Sequence, residues 1–280
     1  MNFNLRKIYY LLSPNFRLIV RRVYFLPSDI VNSFRSNKEY LLPPKGLIFT
    51  GLGNFLKQGE TFLNYFIELG NLKPDNYVLD IGSGIGRMAI PLTRYLSKEG
   101  KYEGFDIVKK GVNWCQKKIS PKFPNFNFQH IDLKNSLYNL STEQDASKFK
   151  FPYKDNYFDF VFLTSVFTHM LPNDVENYLF EINRVLKTSG ICFVTFFIDP
   201  VDSIDFKNQN KNFKFLYDKG NYILMDEKVP EANVAYKFDY LQNIIKNSGL
   251  RIKSKHFGFW SGRSKSDSLD FQDILILEKI

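Results

Sequence analysis

An acid followed by three glycines at alternate positions, Asp80-Ile81-Gly82-Ser83-Gly84-Ile85-Gly86, is the stretch of this chain richest in chemical possibility. It follows the apolar run Val78-Leu79 and leads into Arg87-Met88, so it reads as strand, turn and helix. Glycine takes positive φ and lets a ligand approach main-chain N–H groups with no Cβ in the way, which makes such a turn a ready cradle for a nucleotide. In the Gly-x-Gly-x-x-Gly of a dinucleotide site the third glycine falls three residues after the second; here it falls only two after. An acid ahead of the glycines would repel a pyrophosphate. It suits the ammonium of a cofactor that carries an amino acid, and S-adenosylmethionine has that ammonium, a positive sulfonium and no phosphate.

The stretch resembles motif I of the class I S-adenosylmethionine-dependent methyltransferases, and the resemblance continues downstream. Tyr102-Glu103-Gly104-Phe105-Asp106-Ile107 is similar to the family's second strand, with Asp106 20 residues after Gly86, a spacing that fits a βαβ unit. Phe126 to Leu133 is similar to the third strand, Phe158 to Leu163 to the fourth, and Arg184-Val185-Leu186-Lys187 followed by Gly190 to the lead into the fifth. The match is good over about 60–197, looser over 236–280, and absent over 1–59 and after Pro200. The resemblance implies S-adenosylmethionine as cofactor, held by Asp80, Gly82, Ser83, Gly84, Gly86 and Arg87 at the turn. It further implies Asp106 and Ile107 at the ribose, Asp132 and Leu133 at the adenine, and backbone contacts from Thr164 and Ser165. The implied fold is α/β: a doubly wound, mostly parallel seven-stranded sheet with an antiparallel last strand beside strand five.

The elements needed to position these residues are visible as patterns. Phe62, Tyr65, Phe66 and Leu69 recur at helical spacing from Glu60, with Gly70 as the expected stop. Strands are expected near 77–82, 101–106, 126–131, 158–163 and 191–197, with helices near 87–97, 110–118 and 173–187 between them. Asn173 and Glu176 read as a capping-box-like pair ahead of the stripe Val175, Tyr178, Leu179, Ile182 and Val185. A helix through Phe238, Leu241, Ile244 and Ile245 ends at Gly249, and 251–256 and 271–279 read as the last two strands.

Methyl transfer from a sulfonium asks mainly for positioning and exclusion of water, and for a base only when the acceptor must lose a proton. His169, in Thr164-Ser165-Val166-Phe167-Thr168-His169-Met170, lies just after strand four, at the edge where open α/β sheets bind ligands, and is the base candidate. A histidine that hydrogen-bonds a loop carbonyl is the plainer alternative. His130 reads as core, and His256 could point either way. The loop Phe257-Gly258-Phe259-Trp260-Ser261-Gly262-Arg263 falls between the last two strands, so Trp260 and Arg263 are candidates for the acceptor, against a plug of aromatic side chains with Arg263 in solvent.

The whole chain has 280 residues and a formal charge of +9, with many Lys, Asn, Ile, Phe and Tyr; biased coding DNA explains that basicity as readily as a polyanion partner does. Two cysteines, Cys115 and Cys192, lack metal-ligand spacing, which suits a reducing cytosol; no metal is expected. The absence of a long apolar run or secretory signal leads to the expectation of a cytoplasmic protein. Residues 1–59 form a basic amphipathic extension ahead of the catalytic domain at 60–280. Within 1–46, eight Lys or Arg face only Asp29 and Glu39, and Ser13-Pro14 is expected to open a second short helix. The arm packs on the domain, or contacts an anionic membrane or nucleic acid. Residues 198–235, rich in Asp, Asn, Lys and aromatics, read as an inserted substrate cap or a solvated hairpin.

After strand four there is no Asp/Asn-Pro-Pro-aromatic, no Pro-Cys and no paired glutamates, the signatures of base and arginine methyltransferases. By elimination the acceptor is a small molecule, a sugar or a lipid-linked metabolite, methylated without metal. An RNA-directed methyltransferase, a nicotinamide oxidoreductase and a non-catalytic nucleic-acid or membrane-binding module are the alternatives.

Overall fold

The computed structural model describes residues 12–33, 41–49, 51, 53–199 and 213–280. Among the described residues seven strands make up the main sheet, in the order 250–256, 273–279, 186–196, 158–163, 77–81, 101–106 and 126–130, and four short ones make a second sheet in the order 198–199, 234–237, 222–224 and 217–218. Backbone contacts divide the chain into two compact units that meet in sequence at Asp132 and Leu133.

The first unit holds α1 (Pro14–Ser33), α2 (Phe55–Glu68), β1 (Tyr77–Ile81), α3 (Ala89–Tyr95), β2 (Lys101–Asp106), α4 (Lys109–Lys118) and β3 (Phe126–His130). β1, β2 and β3 pair in parallel, Asp80 beside Gly104 and Phe105 beside Gln129. Parallel strands are covered on both faces, and the burial of Val78, Leu79, Asp80 and Ile81 in a row follows from that. The helix predicted from Glu60 begins earlier, where the Asn54 side chain caps it by accepting from Lys57 N–H at 3.0 Å. Its stop also differs from the expectation: Asn71, at φ 54°, takes the left-handed position in place of Gly70. The arm's helix is long rather than short, 20 residues, opened as expected by the Ser13 hydroxyl, which accepts from Phe16 N–H.

The second unit holds β4 (Phe158–Leu163), α5 (Pro172–Val185), β5 (Leu186–Phe196), β6 (Ile198–Asp199), β7 (Tyr217–Asp218), β8 (Tyr222–Leu224), β9 (Val234–Lys237), α6 (Phe238–Asn247), β10 (Leu250–His256) and β11 (Asp273–Lys279). β4 and β5 run parallel, and β11 lies antiparallel between β5 and β10. The cap of α5 lies two residues earlier than the Asn173–Glu176 pair: Pro172 opens the helix and the Asp174 carboxylate accepts from Leu171 N–H at 3.4 Å. β5 starts at Leu186, five residues before the expected 191, because Ser189 at φ 62° absorbs a bulge and pairing resumes at Ile191. Of the expected cap at 198–235, residues 200–212 lie outside the described residues; its described part forms the second sheet with Tyr236 and Lys237. Asp273, fully buried, gathers the unit's carboxyl edge: it accepts from Gly258 N–H at 2.7 Å, Ile198 N–H at 2.7 Å and the Trp260 indole at 2.6 Å.

One close approach fixes the geometry of the glycine turn. A Cβ on Gly111 of α4 would lie 2.3 Å from the Gly84 carbonyl oxygen. Alanine gains about 1 kcal/mol in helix propensity, but a backbone clash of this kind costs about 1–3 kcal/mol and displaces the turn. Gly111→Ala is therefore expected to lower the urea midpoint and to weaken cofactor binding together; a variant as stable and as tight as the parent would show that α4 does not clamp the turn.

Candidate active site

β1 delivers the chain into the turn, and all three alternate glycines take positive φ: Gly82 at 82°, Gly84 at 57° and Gly86 at 79°. An L side chain at any of them is strained. The N–H groups of Gly82 and Ser83 both donate to the Phe105 carbonyl, at 2.9 and 3.0 Å, tying the turn to β2. At the end of β2 the Asp106 carboxylate accepts from Gly84 N–H at 2.7 Å on one oxygen and from Val108 N–H at 2.6 Å on the other. Burial pushes its carboxyl up to about 6, against the pull of those two backbone donors and the nearby His130.

Asp80 is 1% exposed. One carboxyl oxygen accepts from the Tyr102 hydroxyl at 2.5 Å; the other is buried with no hydrogen-bond partner, as is the Ser83 hydroxyl. Burial drives the Asp80 carboxyl from 3.8 up to about 8, the Tyr102 bond opposing this and the Asp106 charge adding to it. A buried acid with an unanswered oxygen beside a turn of positive φ is a receptor for a donor that carries charge, and an ammonium fits it. Asp106 keeps acceptor capacity for a pair of hydroxyls, since each carboxylate oxygen accepts more than one donor. These residues fit S-adenosylmethionine.

Of the residues expected at the cofactor, Asp80, Gly82, Ser83, Gly84, Gly86, Asp106 and Ile107 come together in the first unit. Arg87 turns toward α2, its guanidinium donating to Gln58 at 2.6 Å and lying 5.1 Å from the Phe55 ring centre, so it braces the turn's far side. Asp132 is exposed just after β3 and Leu133 is buried. Among the histidines, His130 is half-buried with Nε2 3.3 Å from the Ile107 carbonyl.

Thr164, Ser165, His169, Trp260 and Arg263 belong to the second unit. Ser165 takes φ 59° directly after β4; its N–H donates to the Thr195 hydroxyl at 2.8 Å and its own hydroxyl to Gln272 at 2.9 Å. His169 sits in a short 3-10 turn with Nδ1 2.9 Å from the Glu231 carbonyl. A carbonyl only accepts, so Nδ1 carries the proton and Nε2 the lone pair. Burial lowers the His169 pKa below 6.5, outweighing the carbonyl hydrogen bonds, and the ring is neutral at pH 7. Tyr138 meets it edge-on at 5.6 Å, and Asn135 donates to its backbone carbonyl at 3.1 Å. Trp260 is buried with Phe197 and Ala235, its ring 5.2 Å from both Phe197 and Phe215. The Arg263 guanidinium stacks 4.4 Å from the Phe257 ring centre. Tyr102 and Gln272 escaped the sequence reading, because a buried tyrosine on an apolar strand looks like core and a glutamine before a strand carries no spacing signal.

Comparison with known proteins agrees with this geometry. Residues 79–194 match the family model described as Methyltransferase domain. That match supports a class I S-adenosylmethionine-dependent methyltransferase domain over those residues. The ubiquinone/menaquinone biosynthesis C-methyltransferase UbiE of Wigglesworthia glossinidia brevipalpis is 28% identical over 138 residues, 49% of this chain and 49% of that protein, so the match spans about half of each. A putative sarcosine dimethylglycine methyltransferase from Galdieria sulphuraria superposes with a TM-score of 0.52 at 15% identity, over 80% of this chain and 86% of that one. The [4+2]-cyclase SpnF superposes with a TM-score of 0.53 at 15% identity, over 94% and 95%. At such identities the two structures share the fold alone.

The state of Asp80 gives the glycine-turn site a pH signature. Its raised pKa favours the folded protein fully below 3.8, and that contribution is lost as pH rises through about 8. An ammonium that pairs with the ionised carboxylate must displace the proton, so affinity for S-adenosylmethionine is expected to rise by up to about tenfold per unit as pH goes from about 5.5 to 7. Calorimetry at three pH values checks this. Asp80→Asn is expected to bind more weakly and with a flattened profile; a flat profile in the parent would contradict the pairing.

Proposed function

We propose that this enzyme methylates a small, lipid-linked acceptor without a metal ion, with residues 198–235 serving as a cap over the acceptor and residues 1–59 as an extension outside the catalytic domain. The buried, unanswered Asp80 oxygen carries the cofactor half of this reading. The acceptor half draws on two supports of a different kind: the relatives are named for the biosynthesis of quinones, which are lipids, and the second unit offers an aromatic cluster, Phe197, Phe213, Phe215, Trp260 and Phe271. Among the described residues no group of three His, Cys, Asp or Glu stands where it could hold a metal ion.

S-adenosylmethionine supplies a methyl group on a positively charged sulfur, which passes to the acceptor by in-line displacement and leaves a neutral thioether. The chain's own task is to hold and to shield. In this reading Asp80 holds the ammonium, Asp106 the ribose hydroxyls and Asp132 the adenine edge. His169, neutral and oriented by the Glu231 carbonyl, takes the proton from the acceptor on Nε2 as the new bond forms. Trp260 supplies an apolar wall, and Arg263 stands ready for an anionic group on the acceptor.

The experiment is a single assay: methyl-labelled S-adenosylmethionine with fractionated cell extract, run with and without excess EDTA and repeated with His169→Asn. Label is expected in the lipid-soluble fraction and undiminished by chelator. The asparagine variant is expected to keep cofactor affinity and to lose about 10²–10⁴ in kcat. Label confined to RNA or protein, or turnover that EDTA abolishes and magnesium restores, would contradict the proposal; a variant with parental kcat would remove His169 from it.

A further inference from the structure

α1 is amphipathic the wrong way round for a helix that merely packs on its own domain. Phe16, Ile19, Val20, Val23, Pro27, Ile30 and Val31 recur at i, i+3, i+4 and i+7 and so share one face. That face is the exposed one: Val23 is 66% exposed and its neighbour Tyr24 77%, with Phe16, Ile19, Val20, Leu26, Ile30 and Val31 all about half exposed. The polar residues point the other way. Arg17 is buried, its Nε donating to the Leu12 carbonyl at 2.8 Å. Asp29, the only acid of the helix, turns to the 3-10 helix at 45–47 and accepts from Lys45 N–H at 2.7 Å and Gly46 N–H at 2.9 Å.

A stripe about 23 Å long with this much apolar surface is more than a folded monomer ordinarily leaves in water. Charge decides what covers it. The stripe carries no acid; Arg22 is exposed on the flank it shares with Asp29, Arg21 lies over the Phe25 ring on the other flank, and the first 46 residues hold eight cations against two acids. A second copy of the helix would bring the same cations with no outward acid of its own to meet them. Among the described residues no helix is long and apolar enough to cross a membrane, so a bilayer would receive α1 along its surface.

We propose that the outer face of α1 lies in the interface of an anionic lipid bilayer and holds the methyltransferase at a membrane. Apolar side chains from Phe16 to Val31 enter the acyl boundary, and the exposed Arg22 reaches lipid phosphates from the flank of the helix. The site needs neither cofactor nor acceptor to form, so it stands or falls separately from the lipid-linked acceptor.

Flotation of the full chain tests it, with vesicles of phosphatidylcholine alone and of phosphatidylcholine mixed with phosphatidylglycerol, at low and high salt. The parent is expected to float with the mixed vesicles, less at high salt, and not with the neutral ones. Val23→Glu is expected to cut that binding at least about tenfold, and Arg22→Glu to weaken it by a smaller factor, while both keep the parent's melting temperature and affinity for S-adenosylmethionine. Three results would overturn the proposal: a parent that does not float with mixed vesicles, equal binding to neutral vesicles, or Val23→Glu floating like the parent. Sedimentation identifies the rival in the first case, as a parent dimer that Val23→Glu turns into monomer assigns the stripe to a second copy.

Discussion

Two backbone N–H groups, of Gly84 and Val108, converge on the carboxylate of Asp106 at the end of β2, and the cofactor site depends on that convergence. A turn in which Gly82, Gly84 and Gly86 all hold positive φ has little of its own to keep it in one shape, since glycine loses more backbone entropy on ordering than any other residue. Charge-assisted hydrogen bonds offset that loss at about 1.5–3 kcal/mol each. The same carboxylate then faces the ligand with remaining acceptor capacity, so one group both shapes the cradle and reads what enters it. Asp80 works beside it in the opposite sense. It is held protonated by burial and by a like charge until a cation arrives, which makes an empty cradle less costly to fold than a cradle with two bare carboxylates.

The second unit is organised by another buried acid. Asp273 joins the start of β6, the Gly258 backbone and the Trp260 indole, and thereby fixes the aromatic loop between β10 and β11. Burial and three donors oppose each other on this group, leaving its carboxyl pushed up to about 6. The neutral His169, locked by the Glu231 carbonyl, is a further case of a titratable side chain whose state is set by where the fold holds it. Both groups lie in loops or at strand ends, where a rigid sheet presents side chains for binding.

The sequence was most legible where structure is local. The glycine turn, the run from Gly86 to Asp106 and the apolar strands could be read directly, because strand, turn and helix write their periods into neighbouring residues. Helix ends were read less well, since Pro172 with Asp174 outcompeted Asn173 with Glu176, and Asn71 took the position that Gly70 suits on steric grounds. The bulge at Ser189 was hidden because a serine can occupy the left-handed region when strand pairing on both sides demands it. Groups far apart in sequence carried no signal at all: nothing in Tyr102 announces a bond to Asp80, and nothing in Asp273 announces Trp260. In α1 the helical period revealed the stripe, but period alone does not tell which way a stripe faces.

The most direct measurement is calorimetric titration of S-adenosylmethionine into the parent and into Asp106→Asn, with NAD as the control ligand. An amide in place of the carboxylate turns a donor toward one of the two backbone N–H groups and withdraws the charge from the ribose side. The account predicts one tight site for S-adenosylmethionine, none for NAD, and a loss of about 10–100-fold in the variant with secondary structure retained. Parental affinity in Asp106→Asn, or binding of NAD in the parent, would contradict it.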